Sequence, residues 1–426
     1  MTRLRLATSE TFRSLRVRNF RLFFGGQLVS QTGNWLTLVA QALLVLELTD
    51  SGVALGVLAA AQFGPVLVIG PFAGLVADRS DKRRLLLTVQ SLAMLQSFSM
   101  GALALLDRPP LAAIFAVAML GGFTIAFGNP ARRSFVAEMV PENDIGNAVS
   151  LNSALMTTSR VVGPALAGLL VSTVGFTWCF FLDGISYLAV LGALWRMDPG
   201  ALRRPPITPR ARGQVREGLR YARSLPELWV PLVMMAVVGT LAFNFQTVLP
   251  LFATRDLAGT TVTFTLLMSV VSLGSLVGAL ATARRRTISV HTVALSAVAF
   301  GAAMGLLALA PNQATAFVAG CLVGVGSIAF MTASTAIVQI RSDPSMRGRV
   351  LALQAMVFLG STPVGGPVVG AVAERFGARY SLALGGVATV AAGVAGLLSV
   401  RRRERIAADS EGALSLLDPL IAPRAS

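Results

Sequence analysis

Long apolar runs alternate with short polar gaps over almost the whole chain. Six runs fall at about 22–47, 53–77, 85–106, 111–135, 147–172 and 175–196. A polar stretch at about 198–227 follows, then six more runs at about 229–252, 262–283, 287–310, 313–339, 350–373 and 379–400. Each is close to the roughly 20 residues that an α-helix needs to cross the hydrocarbon of a bilayer. In lipid the backbone polar groups have to pair within the segment, so such runs fold as helices. The pattern predicts an all-α integral membrane protein with twelve transmembrane helices in two halves of six. The expected divisions are an N-terminal segment at 1–21, a first half at 22–197, a linker at 198–228, a second half at 229–400 and a tail at 401–426.

The gaps carry the orientation. Basic residues collect before the first run, at Arg79, Lys82, Arg83 and Arg84, at Arg132 and Arg133, and through the linker. They collect again at Arg284, Arg285 and Arg286, at Arg341, Arg347 and Arg349, and at Arg401, Arg402, Arg403 and Arg405. The alternate gaps hold only Arg108, Arg255, Arg375 and Arg379. Basic loops stay in the cytoplasm, so both termini are expected there, as an even number of crossings also requires. Ahead of the first run, Arg3, Arg5, Arg13, Arg16, Arg18 and Arg21 alternate with Phe12, Leu15, Phe20 and Phe23. That mixture predicts a short amphipathic helix on the cytoplasmic membrane face. The tail is expected to be loosely ordered.

Composition then excludes the competing classes. Hydrophobic residues make up 54% of the 426 and charged residues 13%, about half the roughly 25% usual in soluble domains. The net charge of +16 does not point to nucleic acid, because the arginines lie in short runs between apolar segments and form no single stripe with aromatics. Cys179 and Cys321 both lie inside apolar runs and read as small hydrophobes. His291, the only histidine, falls at the edge of the ninth run, as a loop residue would. No GxxxxGK[ST], GxSxG or HExxH pattern occurs, so neither an enzyme nor ATP-driven pumping by this chain is expected. No metal or cofactor is expected either.

Motifs repeat between the halves. Gly163-Pro164 in the fifth run is followed by Gly175, and Gly366-Pro367 in the eleventh is followed by Gly377. The loop at Gly74 to Arg84 has a degraded counterpart at Gly278 to Arg286. A duplicated six-helix unit is the economical reading, with a binding site at mid-membrane between the copies. GLVADRSDKRR, residues 74–84, holds Gly74, Asp78, Arg79, Lys82 and Arg83 in the register G-x-x-x-D-R-x-G-R-R, with Asp81 where that pattern has glycine. This resembles the signature loop of the major facilitator superfamily. Together with FRSLRVRNFRLFFGGQ near the start and RVVGPALAG at 160–168, it resembles the branch of enterobactin exporters and transmembrane secretion effectors.

The resemblance implies a bacterial inner-membrane exporter that exposes a pocket between its halves to each side in turn. Asp78 would then face the positive end of helix 11, expected to start near Arg349, with Arg79, Lys82 and Arg83 pairing across the halves as a cytoplasmic latch. The other reading of that loop is topology alone. RVVGPALAG resembles a reduced form of the glycine-proline helix 5 motif of drug/proton antiporters. Gly163, Pro164 and Gly168 would serve packing or hinging, with Gly274 and Gly278 of the eighth run offering a close approach and Gly366 and Pro367 the counterpart.

Ionisable residues inside the apolar runs carry the remaining chemistry. Arg160 and Asp183 lie deep in the fifth and sixth runs, where a charge is costly and needs a partner. They are expected to pair, directly or through water, as a proton-coupling site or a structural ion pair. In the first run Gln27, Gln31, Asn34 and Gln41 share one helical face, with Trp35 beside it. Cavity lining and interhelical hydrogen bonding both account for such a stripe. In the seventh run Asn244 and Gln246, between Phe243 and Phe245, point apart on an ideal helix, so one of them is expected to face the cavity. Gln62 is a further candidate. Such a lining suits uncharged or amphiphilic small molecules. The expected protein is a monomeric proton antiporter in contact with lipid, exporting a drug, antibiotic or siderophore-like compound. The alternatives are an importer or facilitator of a metabolite or lipid-like molecule, and a membrane sensor or scaffold.

Overall fold

The computed structural model describes residues 11–203, 214–283 and 288–421. Arg3 and Arg5 of the N-terminal segment, the middle of the linker, Arg284, Arg285 and Arg286, and the last five residues of the tail lie outside the described residues. Every regular element among the described residues is helical. The first four long helices are α1 (Arg18–Thr49), α2 (Gly52–Arg79), α3 (Lys82–Leu103) and α4 (Leu111–Met139). The helix Ile145–Arg196 breaks at Gly175, where φ is 83°, into α5 (145–174) and α6 (176–196). After α7 (Gln214–Ser224) come α8 (Pro226–Leu241), α9 (Phe245–Leu251), α10 (Thr261–Ala283), α11 (Val290–Ala308), α12 (Gln313–Arg341), α13 (Pro344–Phe376) and α14 (Ala378–Ile421).

Among the described residues, ten helices are long and apolar enough to cross a membrane, the one that breaks at Gly175 among them. The helix α1 is not one of the ten, because its row of amides dilutes an otherwise apolar sequence. Local sequence sets the starts. Ser51 caps α2 by accepting from the Ala54 amide, and Asp81 caps α3 by accepting from Arg84. Ser289 with Thr292 and Asn312 with Thr315 form capping boxes at α11 and α12. Each satisfies amides that a helix start leaves unpaired.

The structure departs from the simple run pattern in five places. The seventh run is not one helix: α8 ends at Leu241, Asn244 starts the short α9, and a wide turn follows over Phe252–Asp256. Asn244 favours a cap to a helix interior, and Pro250 removes the amide that would bond to the Gln246 carbonyl. The apolar pattern runs straight across this break. Among the described residues of the N-terminal segment, a single turn at Arg13–Arg16 precedes α1. Phe20 and Phe23 face inward, Phe23 meeting Phe135 edge-on at 5.7 Å. The linker contributes α7, whose Ala222 is fully buried. Finally, α13 begins at Pro344 rather than near Arg349, and α14 continues past Arg401 to Ile421.

The two halves follow one plan. Gly163 abuts Trp35 of α1, and Gly365, 202 residues on, abuts Thr240 and Asn244 of the seventh run. Gly168 abuts Thr265 of α10 in the other half, and Gly370, again 202 on, abuts Gly52 of α2 in the other half. Gly175 and Gly377 keep the same spacing, and both hold positive φ, which favours glycine because a Cβ is disfavoured there.

Candidate functional site

Asp183 on α6 is fully buried. Its Oδ2 accepts from Thr37 Oγ1 of α1 and Ser97 Oγ of α3, both at 2.6 Å. Its Oδ1 accepts from Ser186 Oγ one turn along, at 3.3 Å. Gly33 makes the approach of α1 possible, since a Cβ there would collide with Asp183 Oδ1 and Ser186 Oγ. Three hydroxyls therefore surround the carboxyl, and among the described residues no cation pairs with it. The expected ion pair with Arg160 does not form. Arg160 instead stacks on Trp35, its guanidinium carbon 5.7 Å from the ring centroid, a cation–π contact. Both side chains meet α1, but at different places: Asp183 reaches Thr37 and, on α3, Ser97, while Arg160 lies over Trp35.

The amide stripe of α1 divides into two groups. Near the start of α1, Gln31 Nε2 donates to Gln27 Oε1 at 3.2 Å, and Arg132 of α4 reaches the same oxygen at 3.5 Å while donating to Asn129 Oδ1 at 2.6 Å. Higher up, Gln62 of α2 donates to Gln41 Oε1 at 2.6 Å. Gln27, Gln31, Gln41 and Gln62 are all buried, and the Nε2 atoms of Gln27 and Gln41 have no protein acceptor. Asn34 and Trp35 are half-buried beside them. Arg132, counted among the gap residues by its charge, lies inside α4, and Gly33, Thr37, Ser97 and Ser186 carry no signal in the sequence. A lone hydroxyl carries no distinctive pattern, and only the fold brings three of them to one carboxyl.

Across the molecule, the break after α8 gathers aromatic rings. Phe243 lies 5.2 Å from Phe300 of α11, 5.1 Å from Phe358 of α13 and 6.0 Å from Phe245. Asn244 Nδ2 donates back to the Thr240 carbonyl at 2.7 Å, and its buried Oδ1 has no protein partner. Gln246 is half-buried within α9. The prediction that these two amides point apart on a regular helix does not apply to a broken one.

At the signature loop, Lys82 Nζ pairs with Glu138 Oε1 of α4 at 2.6 Å, both side chains nearly buried. Arg83 donates to the Leu194 and Trp195 carbonyls at the end of α6, at 2.7 and 3.1 Å. In this conformation both contacts lie inside the first half rather than across the halves. Arg79 is exposed and Asp78 half-buried. A Cβ on Gly74 would meet nothing within 4 Å, so nothing in this conformation explains that glycine. At the start of α13, Arg349 pairs with Glu217 of α7 at 2.7 Å, and Tyr221 accepts from the Asp343 amide at 3.0 Å.

The opposite end of the bundle is bridged between halves. Arg255 pairs with Asp50 at 2.9 Å, and Glu374 accepts from Ser51 Oγ and the Val53 amide at 2.5 and 2.9 Å. Behind these contacts α2 and α13 run in near-backbone contact. A Cβ on Gly56 would strike the Gly366 carbonyl and Pro367, and one on Gly52 would strike the Gly370 carbonyl. Gly274 and Gly278 serve a different purpose from the one expected: they abut Cys321, Val325 and Ile328 of α12, in their own half. The partner of α5 on α10 is Thr265.

Comparison with known proteins agrees with this architecture. The family model for transmembrane secretion effectors, of the major facilitator superfamily, matches residues 9–424. The chain is 23% identical over 380 residues to the staphyloferrin A transporter of Staphylococcus aureus, covering 87% of this chain and 93% of that one. It is 26% identical over 399 residues to the multidrug efflux pump Tap of Mycolicibacterium fortuitum, covering 88% and 94%. A crystal structure of the peptide transporter POT in complex with sulfate superposes with a TM-score of 0.74 at 12% identity, over 90% of this chain and 94% of that one, which is a likeness of fold. With the family model spanning nearly its whole length, this chain belongs to the transmembrane secretion effectors of the major facilitator superfamily, multi-pass membrane transporters and not enzymes.

Proposed function

We propose that this protein is a twelve-helix exporter of small amphiphilic molecules in the bacterial inner membrane, working by alternating access and driven by inward proton flow. The twelve helices are α1 to α6, the broken seventh made of α8 and α9, and α10 to α14, with both termini cytoplasmic. The observation that carries alternating access is the asymmetry of the contacts between halves. Arg255–Asp50 and Glu374 with Ser51 bridge the halves at one end, while Lys82 and Arg83 at the other end are engaged within their own half. With the basic loops inside, the bridged end is the outer one, and the described conformation is shut toward the exterior. A swing to the outward-facing state would break the bridges and bring the signature loop against α13. The pairing of Arg349 with Glu217 is then one contact that the swing has to rearrange.

Asp183 is the candidate proton carrier. A buried carboxyl without a cation is stable when neutral and costly when charged, so a proton can leave only when the surroundings rearrange. Export as the direction is supported by the name of one relative, a multidrug efflux pump. The experiment is uptake of an amphiphilic dye into everted vesicles energised by a proton gradient. Gradient-dependent uptake that a protonophore abolishes is expected. Flux that ignores the protonophore would remove proton coupling, and no flux across a broad panel of compounds would remove transport.

A further inference from the structure

We infer that the cleft between the halves takes an amphiphile bearing a carboxylate, and that Arg160 selects it, with Arg132 as a second cationic anchor. The inference rests on the transporter reading above and narrows its substrate.

Arg160 lies deep in α5, and among the described residues no acid neutralises it; its close partner is the Trp35 ring. A charge at such depth is costly unless something answers it. Neighbouring contacts give its direction. Gly163 packs on Thr32 and Trp35 of α1, and Gly168 packs on Thr265 of α10. At about 100° per residue on an α-helix, the Arg160 side chain leaves α5 between those two contacts. It points between α1 of the first half and α10 of the second. The exposed Val162 and Leu169 mark the opposite, lipid-facing side of the same helix. Arg160 itself is half-buried, as a residue at the cleft would be.

Arg132 of α4 repeats the situation nearer the start of α1, where it reaches Gln27. Its hydrogen-bond partners, Gln27 and Asn129, are neutral. Gln27 and Trp35 are two turns apart on α1, about 12 Å along the axis, with Gln31 and Asn34 on the face between them. Gln27 adds a buried amide donor with no acceptor. This face therefore offers two guanidinium groups and an unused donor. The buried acid that meets α1, Asp183, is already engaged by Thr37, Ser97 and Ser186. A ligand carboxylate matches the planar fork of a guanidinium through two parallel hydrogen bonds. Its apolar remainder would meet the rings around Phe243 across the cleft. A cationic amphiphile would instead approach two like charges.

The test uses the purified full-length chain and three fluorescent probes of similar size: dansyl-leucine, which carries a carboxylate, its neutral amide, and dansyl-cadaverine, a cation. Dansyl-leucine is expected to bind about tenfold or more tighter than the amide, the range of a charge-assisted hydrogen bond, with the cation weakest. Arg160→Gln is expected to erase the difference between carboxylate and amide, Arg160→Lys to keep part of it, and Arg132→Gln to reduce it less. The lysine variant keeps the charge should the glutamine variant fail to fold. Equal affinity for the three probes, preference for the cation, no binding of any of them, or an undiminished carboxylate preference in folded Arg160→Gln each overturn the inference. The two readings fail separately. Energised vesicles that carry the cation and refuse the carboxylate would sink this substrate class and leave the exporter standing. Vesicles that carry none of the probes, while the purified chain still selects the carboxylate through Arg160, would do the reverse.

Discussion

The two halves share a backbone plan and bury different chemistry. In the first half the interior holds Asp183 in its cage of hydroxyls, the Lys82–Glu138 pair, and four amides at Gln27, Gln31, Gln41 and Gln62. In the second half the corresponding space holds the rings of Phe243, Phe245 and Phe300, and hydroxyls such as Ser272 and Thr389 that bond to carbonyls of their own helix. Glycines 202 residues apart still make the same approaches in both halves. Backbone packing has thus outlasted the side chains around it. Buried ionic groups add little stability and often subtract from it, so a half that keeps them is the half to suspect of ion and proton chemistry. The aromatic half supplies apolar contact.

The sharpest way to break this division is Asp183→Asn. Asparagine keeps the size and most of the hydrogen bonds with Thr37, Ser97 and Ser186 but cannot release a proton. Gradient-driven export is expected to fall by about tenfold or more, an effect of roughly 1.4 kcal/mol on the coupled step, with the melting temperature little changed. Vesicle uptake and a thermal melt of the same preparation check it. If uptake stays at the wild-type rate, the cage is structural and the halves no longer differ in kind.

The next contrast is mechanical. Gly33→Ala drives a methyl group into Asp183 Oδ1 and Ser186 Oγ, with the Asp183 Cα only 3.2 Å away. Overpacking of this kind costs about 1–3 kcal/mol. In the second half, Gly320→Ala meets chiefly the Leu267 Cδ1 at 2.8 Å, the free end of a side chain that can turn aside, so about 1 kcal/mol or less is expected. Melting temperatures of the two variants should therefore separate, with Gly33→Ala the lower. Equal losses would mean that the polar cage yields as readily as the apolar interior.

A third contrast separates affinity from charge selection. Phe243 is the hub of its cluster, and each aromatic pair is worth about 0.5–1.5 kcal/mol beyond burial. Phe243→Ala is expected to raise the KM for anionic and neutral probes alike, by about tenfold, with Phe243→Leu recovering part of the loss. A change in preference between probes of different charge would instead place selection in the second half.

Much of this was legible from the chain alone, for physical reasons that can be named. Apolar length specified the long helices because lipid leaves the backbone no other solution. The turns at Gly175 and Gly377 were visible because few residues other than glycine tolerate their φ. The break at Asn244 was hidden, since Phe243, Phe245 and Val248 keep the run apolar across it. The partners of Arg160 and Asp183 are hidden for a different reason. Spacing along a helix reports depth and face, whereas pairing depends on how neighbouring helices are turned. Both Arg160 and Asp183 lie deep, yet one meets the Trp35 ring and the other the hydroxyls of Thr37, Ser97 and Ser186.

The smallest expected effect concerns the seam between the halves. The contacts at Asp50, Arg255 and Glu374 are partly exposed, and such pairs are worth about 0.2–1 kcal/mol. Arg255→Gln should therefore shift the balance between conformations by at most about fivefold toward the state open at that end. Double electron–electron resonance between labels at Glu47 and Ala258, with Cys179 and Cys321 replaced by serine, would report the longer distance in a correspondingly larger fraction of molecules. A larger shift would make these charges the main closure of that end. No shift at all would assign the closure to the apposed glycines of α2 and α13. In that case Gly56→Ala, which drives a methyl group into the Gly366 carbonyl and Pro367, should open the end that Arg255→Gln leaves shut.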